Sequence, residues 1–275
     1  MRDDCMGLSQ QIAYSSLLAF FPAVAFVIGA LGLFNLFDNL ERLLDPIAPE
    51  GVITFITNLE KDSGGGTSAV AFAIGFFGAV WVASGAMGTI MKAVNRAYEL
   101  QETRPFWKSR IIAIILVVAT GLTTAGVFLL IVVGGSLGDA ISKKAGLGGA
   151  FQWTWSILRW PIAFCAVLLF FALVYYLGPN MRQRSWKWVT PGSILGAALW
   201  LALSGLFALY VTFAGNYTKT YGTLASGIIL LLWLNYSAFA VLYGAELNSA
   251  LERQADIRAA GGEHAGLVKP VRRGS

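Results

Sequence analysis

The stretch at residues 227–253 reads GIILLLWLNYSAFAVLYGAELNSALER. Residues 227–245 carry no charge, and at about 1.5 Å of rise per residue roughly 20 apolar residues cross the ~30 Å hydrocarbon core of a bilayer. The run therefore has the length of a membrane span. It nevertheless holds Asn235 inside and Glu246 and Asn248 near its end, groups that hydrocarbon solvates poorly.

Five further uncharged or nearly uncharged runs of comparable length precede it, at about 12–34, 68–91, 111–137, 160–177 and 189–213. The composition agrees: 56% of the 275 residues are hydrophobic and 13% charged, about half the charged share of a soluble domain. Mean hydropathy is +0.65. The expected fold is all-α: a polytopic membrane protein with six transmembrane helices over residues 1–253. A basic, disordered cytoplasmic tail is expected at 254–275. The first run lacks the charge pattern and small-residue site of a cleaved signal, so it is expected to remain in the mature chain.

Lys and Arg are retained on the cytoplasmic side of membrane proteins. With the N-terminus inside, fourteen of the 20 basic residues fall on inner segments and six on outer ones. Both termini are therefore expected in the cytoplasm (N-in/C-in). The net charge of +5 is accounted for by this asymmetry and by attraction to anionic lipid heads, with no nucleic acid needed. The outer segment at 36–66 stands apart. Val52, Phe55, Ile56 and Leu59 recur at helical spacing there, which predicts an amphipathic helix packed on the bundle top, with a lid or leaflet-embedded helix as the alternative.

Small and polar residues indicate how the spans pack. Gly75, Ala79 and Ala83 repeat every four residues, and Gly192 with Gly196 forms a GxxxG; both permit close backbone approach. Residues eleven apart return to nearly the same helix face. Ser84 with Asn95, Ser193 with Ser204, and Asn235 with Glu246 have this relation. Together with Thr120, Thr123 and Thr124, they form a candidate polar pathway, set against ordinary interhelical hydrogen bonding. At the inner end, a carboxylate near the membrane calls for a cation. Glu246 is expected to pair with Arg96, flanked by Asn95 and Asn248, as an inner gate or a structural ion pair.

Catalytic chemistry finds little to work with. The single histidine, His264, lies in the expected tail, and HxH, HExxH, CxxC and P-loop spacings are missing from the sequence. No catalytic residue, metal site or cofactor is expected. Cys5 and Cys165 fall at the inner N-terminus and within a span, an arrangement that does not suggest a disulfide.

The segments SGAMGTIMKAVNRAYELQETRPFWKSR (84–110), LGPNMRQRSWKWVTPGSILGAALW (177–200) and YGTLASGIILLLWLNYSAFAVLYGAELNSALER (221–253) resemble the YihY/BrkB family of bacterial inner-membrane proteins. The resemblance covers nearly the whole chain, carried by the combination of NRAY, the Gly-Pro-Asn turn and GAELN. It departs at 18–22, where LAFFP stands in place of an LS-x-x-P-like element. The resemblance implies an inner-membrane location and six spans. Neither the ribonuclease nor the virulence label borne by the family follows from the residues.

The expected function is transport of a lipid-like or other small amphipathic substrate through a groove between helices. A proton-coupled small-solute carrier and a non-transporting envelope scaffold are the alternatives. Expected partners are membrane lipids and an envelope protein at the outer segment; the residues neither require nor exclude a homo-oligomer. Cysteines placed at Asp62 and Lys219 should react with an impermeant thiol reagent from outside sealed cells, and cysteines at Gln101 and Gln254 should not. External labelling at Gln101 would reverse the topology.

Overall fold

The computed structural model describes residues 5–34, 37–44, 57–58, 69–146, 148–181, 189–213 and 223–259, and these contain helices and no strand. The helices are α1 (Cys5–Leu33), α2 (Phe37–Leu44), α3 (Ala69–Ala97), α4 (Phe106–Phe128), α5 (Gly134–Ala145), α6 (Gly148–Leu177), α7 (Pro191–Phe213) and α8 (Thr223–Ala259). All but α2 and α5 are long and apolar enough to cross a membrane, giving the six expected spans. Five residues in π-helical geometry, Leu129–Val133, join α4 to α5.

The six long helices form a closed ring. Each touches the next in the order α1, α3, α4, α6, α7, α8; α8 returns to α1, and an α3–α8 contact crosses the middle. Since lipid tails are as apolar as leucine, packing contacts and hydrogen bonds hold such a ring together more than hydrophobic burial does. The expected GxxxG does this work. A methyl at Gly192 of α7 would stand 2.5 Å from the Asn248 Oδ1 of α8 and nearer still to the Gly244 carbonyl. One at Gly196 would lie 2.7 Å from both the Phe171 ring and the Tyr175 hydroxyl of α6. Tyr175 then donates to the Val241 carbonyl at 2.8 Å, so α6, α7 and α8 meet at one point. The repeat on α3 is used unevenly: Ala79 is buried, but a methyl at Gly75 would touch nothing.

Burial is concentrated at one end of the ring. Ile12 of α1, Met91 and Val94 of α3, Leu116 of α4, Phe171 and Val174 of α6, Ala197 of α7 and Leu242 and Ala245 of α8 are all buried. They lie towards the end that carries the 98–105 connection and residues 178–181 and 189–190. In the opposite halves, the described residues 20–33 of α1, 117–131 of α4, 149–162 of α6, 198–210 of α7 and 227–237 of α8 include none that is buried. The bundle is therefore closed at one end and loosely packed at the other.

Helix ends depart from the sequence expectation because polar residues extend spans beyond their apolar runs. α1 begins at Cys5 rather than near Ile12, α6 at Gly148 rather than near Trp160, and α8 runs on to Ala259. The first residues of the expected disordered tail are thus helical. Glycines and lysines hid α5, whose Gly134, Gly138 and Ser142 are buried; the Trp155 indole of α6 donates to the Gly134 carbonyl at 2.5 Å. In the outer segment, Glu41 of α2 accepts a hydrogen bond from Thr57, while the Val52, Phe55, Ile56 and Leu59 stripe lies outside the described residues.

Close approach at Gly192 leads to a direct test. Gly192→Ala should lower the thermal midpoint in detergent, at a cost of about 1–3 kcal/mol for overpacking. Gly121→Ala, where no neighbour stands within 4 Å, should leave it unchanged or raise it by up to about 1 kcal/mol through helix preference. Equal effects at the two sites would contradict the α7–α8 contact.

Candidate functional site

The closed end is built from helix termini, and each terminus leaves backbone groups that need partners. α3 ends in a Schellman turn: Leu100 N–H donates to the Asn95 carbonyl at 2.8 Å and Glu99 N–H to the Arg96 carbonyl at 3.0 Å. Glu99 takes the left-handed conformation, φ 53°, that glycine usually fills. Its carboxylate accepts from Arg253 of α8 at 2.8 Å. The end of α6 is capped from the 98–105 connection, where Arg104 donates to the Leu177 and Gly178 carbonyls at 3.2 and 2.8 Å. The same guanidinium grips Glu102 with two bonds of 2.7 and 2.6 Å, the forked geometry that suits arginine to a carboxylate.

Two buried amides complete the closure. Asn95 donates to Glu102 at 2.9 Å and accepts the Asn180 backbone N–H at 2.7 Å. Asn180 in turn donates to the Gln101 carbonyl and the Thr103 hydroxyl. Asn248 accepts the Gly192 N–H at 2.8 Å and donates to the Thr190 hydroxyl at 3.0 Å. Thr190 and Ser193 exchange bonds around the start of α7, a capping-box arrangement with serine in place of the usual Glu or Gln. Tyr98 links the two halves through a hydrogen bond with Asn248. Burial, with the Glu252 charge, raises the Tyr98 hydroxyl far above the ordinary phenol range, and the Asn248 bond only partly opposes this.

Burial alone would raise the Glu102 carboxyl, but the hydrogen bonds and charge of Arg104, with the Asn95 amide, hold it below the usual carboxylate range. The contribution of this pair to stability is thus complete above the unfolded carboxylate pKa and is lost as pH falls through the lower folded value.

The sequence-derived candidates divide between this cluster and elsewhere. Asn95, Asn248 and Ser193 are buried within it. Arg96, one residue from Asn95 and about 100° around the helix, is exposed, and Glu246 is half-buried. The two ion pairs between described residues at this end, Arg104–Glu102 and Arg253–Glu99, leave the expected Arg96–Glu246 pairing aside. Ser84 and Thr120 bond to carbonyls of their own helices, at Trp81 and Leu116. Thr123 is half-buried and Thr124 exposed. Ser204 accepts from Trp233 at 3.2 Å, and Asn235 accepts from Ser9 at 3.5 Å. The pathway candidates are thus spread over several helix contacts. Arg104 and Glu102 were not picked out from the sequence, since loop residues show no periodicity, and Tyr98 and Asn180 entered only as parts of the NRAY and Gly-Pro-Asn motifs; the T-x-x-S at 190–193 was the readable signal. Among the described residues no three or more His, Cys, Asp or Glu side chains gather as a metal site.

A ring of six membrane-length helices with a polar closure at one end defines an α-helical, multi-pass integral membrane protein. The chain belongs to the family described as virulence factor BrkB, whose model matches residues 1–266. It is 28% identical over 247 residues to a putative ribonuclease-like protein YfkH of Bacillus subtilis (strain 168), covering 90% of each chain. It is 27% identical to a UPF0761 membrane protein of Aeromonas salmonicida (strain A449), over 87% of this chain and 81% of the relative. A UPF0761 membrane protein of Alkalilimnicola ehrlichii is 29% identical over 91% of this chain, which spans only 56% of that longer relative. No solved structure matches.

Two measurements probe the closure. Asn248→Ala leaves the buried Gly192 N–H without its acceptor and should cost about 1–3 kcal/mol of stability, read as a lower midpoint in a denaturation series. For Glu102→Gln, the midpoint at neutral pH should drop, and the part of the acid-induced fall that belongs to Glu102, which sets in as pH falls below the ordinary glutamate range, should disappear. An unchanged acid limb would mean that the Glu102–Arg104 pair contributes nothing.

Proposed function

We propose that this protein is an inner-membrane carrier for a lipid-like amphipathic substrate, both termini cytoplasmic, with the polar closure as its cytoplasmic gate. The observation that carries the reading is the asymmetry of the bundle, sealed by hydrogen-bonded helix ends on one side and loosely packed on the other. The loose half has apolar grooves. One of about 500 Å³ between α7 and α8 is lined by Leu203, Phe207, Tyr210, Leu232 and Tyr236, and one of about 350 Å³ between α1 and α2 by Phe20, Val27, Leu31 and Phe37. Apolar lining beside a ring of helices suits an acyl chain better than an ion or sugar. The excess of Lys and Arg on the segments at the sealed end supports its cytoplasmic orientation. On this reading Asn95 and Asn248 are gate residues, and Arg96 and Glu246 stand at the gate's mouth.

The test is lipid redistribution in sealed vesicles. Purified protein in vesicles with a fluorescent phospholipid should make the inner-leaflet probe accessible to an external, membrane-impermeant reductant. Protein-free vesicles should stop at about half reduction, the outer-leaflet share expected when a bilayer impermeant to headgroups has equal leaflets. Reduction that also stops there with folded protein present would overturn the carrier reading. If transport occurs, Asn248→Ala should alter its rate more than a control substitution on the lipid face.

A further inference from the structure

Arg110 and Arg159, both inside membrane-length helices, take no part in the ion pairs Arg104–Glu102 and Arg253–Glu99. Arg110 of α4 stands about 6 Å of helix from the closed end, and Arg159 of α6 about 27 Å from it. The Arg110 guanidinium lies over Trp81 of α3, 3.9 Å from the ring centre. Its Nη2 donates to the Trp81 carbonyl at 2.7 Å. Gly85 leaves room beside it, since a methyl there would lie 3.8 Å from Nη1. Arg159 crosses Gly135 of α5, where a methyl would stand 3.1 Å from its Nη1, one helical turn after Trp155. In both residues Nε is buried without a hydrogen-bond acceptor, and so is the Ser109 hydroxyl next to Arg110. Each site therefore sets a guanidinium whose Nε lacks an acceptor against a glycine of the neighbouring helix, with a tryptophan ring beneath it at Arg110.

Arginine within a membrane helix is costly and ordinarily faces a counter-charge or a water-filled cavity. The anion that a bilayer itself supplies is lipid phosphate, whose oxygens match the planar donor fork of arginine. We infer that Arg110 and Arg159 each bind the phosphate of an anionic phospholipid, Arg110 in the closed half of the bundle and Arg159 in the open half. As a statement about substrate, this rests on the carrier reading and makes the carried amphiphile anionic; as a statement about binding, it stands without it. The exposed Lys92 and Arg96 on α3 give the approach to Arg110 the same sign of charge.

The experiment is native mass spectrometry of the full chain in detergent with equal amounts of phosphatidylglycerol and phosphatidylcholine, and then with inorganic phosphate added in excess. The unaltered protein should retain two phosphatidylglycerols in preference to phosphatidylcholine. Arg110→Gln and Arg159→Gln should each retain one, and the double variant none, with affinity at the altered site down by at least roughly tenfold. Should a glutamine variant fail to fold, Gly85→Leu narrows the Arg110 site without removing charge and should also lose one lipid, while Arg110→Lys should weaken retention. Inorganic phosphate should displace neither lipid. Equal retention of the two lipids, selectivity indifferent to all these variants, or displacement by inorganic phosphate would overturn the inference. The vesicle assay separates it from the carrier reading. Lipid movement without headgroup selectivity or arginine dependence defeats this inference alone, while selective, arginine-dependent retention without movement defeats the carrier alone.

Discussion

A backbone N–H or C=O brought into the closed end must be satisfied within the protein, because hydrocarbon offers no partner and an unpaired buried group is costly. That constraint determines how the ring is tied. The last carbonyls of α6 are taken by Arg104, which belongs to the connection between α3 and α4. The first N–H groups of α7 are taken by Asn248 of α8 and by the Thr190–Ser193 exchange. Asn95 of α3 holds the backbone of Asn180 beyond α6. Each cap joins segments distant in sequence. Helix termination and tertiary arrangement are therefore set by the same few side chains.

The open half is held differently. Two tryptophan–serine bonds, Trp200 to Ser237 and Trp233 to Ser204, join α7 to α8, and ring contacts of Phe26 with Phe72 and Phe76 join α1 to α3. Such contacts can be exchanged for lipid contacts with little loss, since an acyl chain packs against an aromatic ring much as another side chain does. Asn248 and Arg104 have no equivalent substitute in lipid. In the carrier reading, the closed end is thus the rigid part and motion falls to the helices above it, a division of labour familiar from transporters that rock about a fixed point.

The spans were legible in the sequence because hydrocarbon thickness imposes a length, and 227–245 or 189–213 has no other economical reading. Their ends were less so. Hydropathy stops at the membrane, whereas α8 continues through Arg253 to Ala259 and α1 starts at Cys5. Arg159 was counted with an outer segment because its own charge precedes the uncharged run that starts at Trp160, yet α6 carries both Arg159 and Pro161 inside, and proline is tolerated in membrane helices where neighbours re-satisfy the backbone. In the site, Asn95 and Asn248 stood out as amides at span ends. The two ion pairs did not, since choosing among nearby charges needs the path of the 98–105 connection, which no periodicity encodes.

Asn248, the amide near the end of the last span, now has a physical rationale. At the crossing of Gly192 and Gly244, one side chain must accept from an N–H and donate to a hydroxyl while remaining small and uncharged. Asparagine does both; aspartate would lack the donor and carry charge into a buried site, and leucine would offer neither bond. The charges of the closure follow the same logic of desolvation. The amides Asn95 and Asn248 are 2% and 5% exposed, the Arg104 and Glu102 side chains 10% and 26%, and those of Arg253 and Glu99 53% and 51%. Neutral groups thus seal the inside, a forked ion pair stands at the margin and a simple one at the surface, so that full charges are held where water still reaches them.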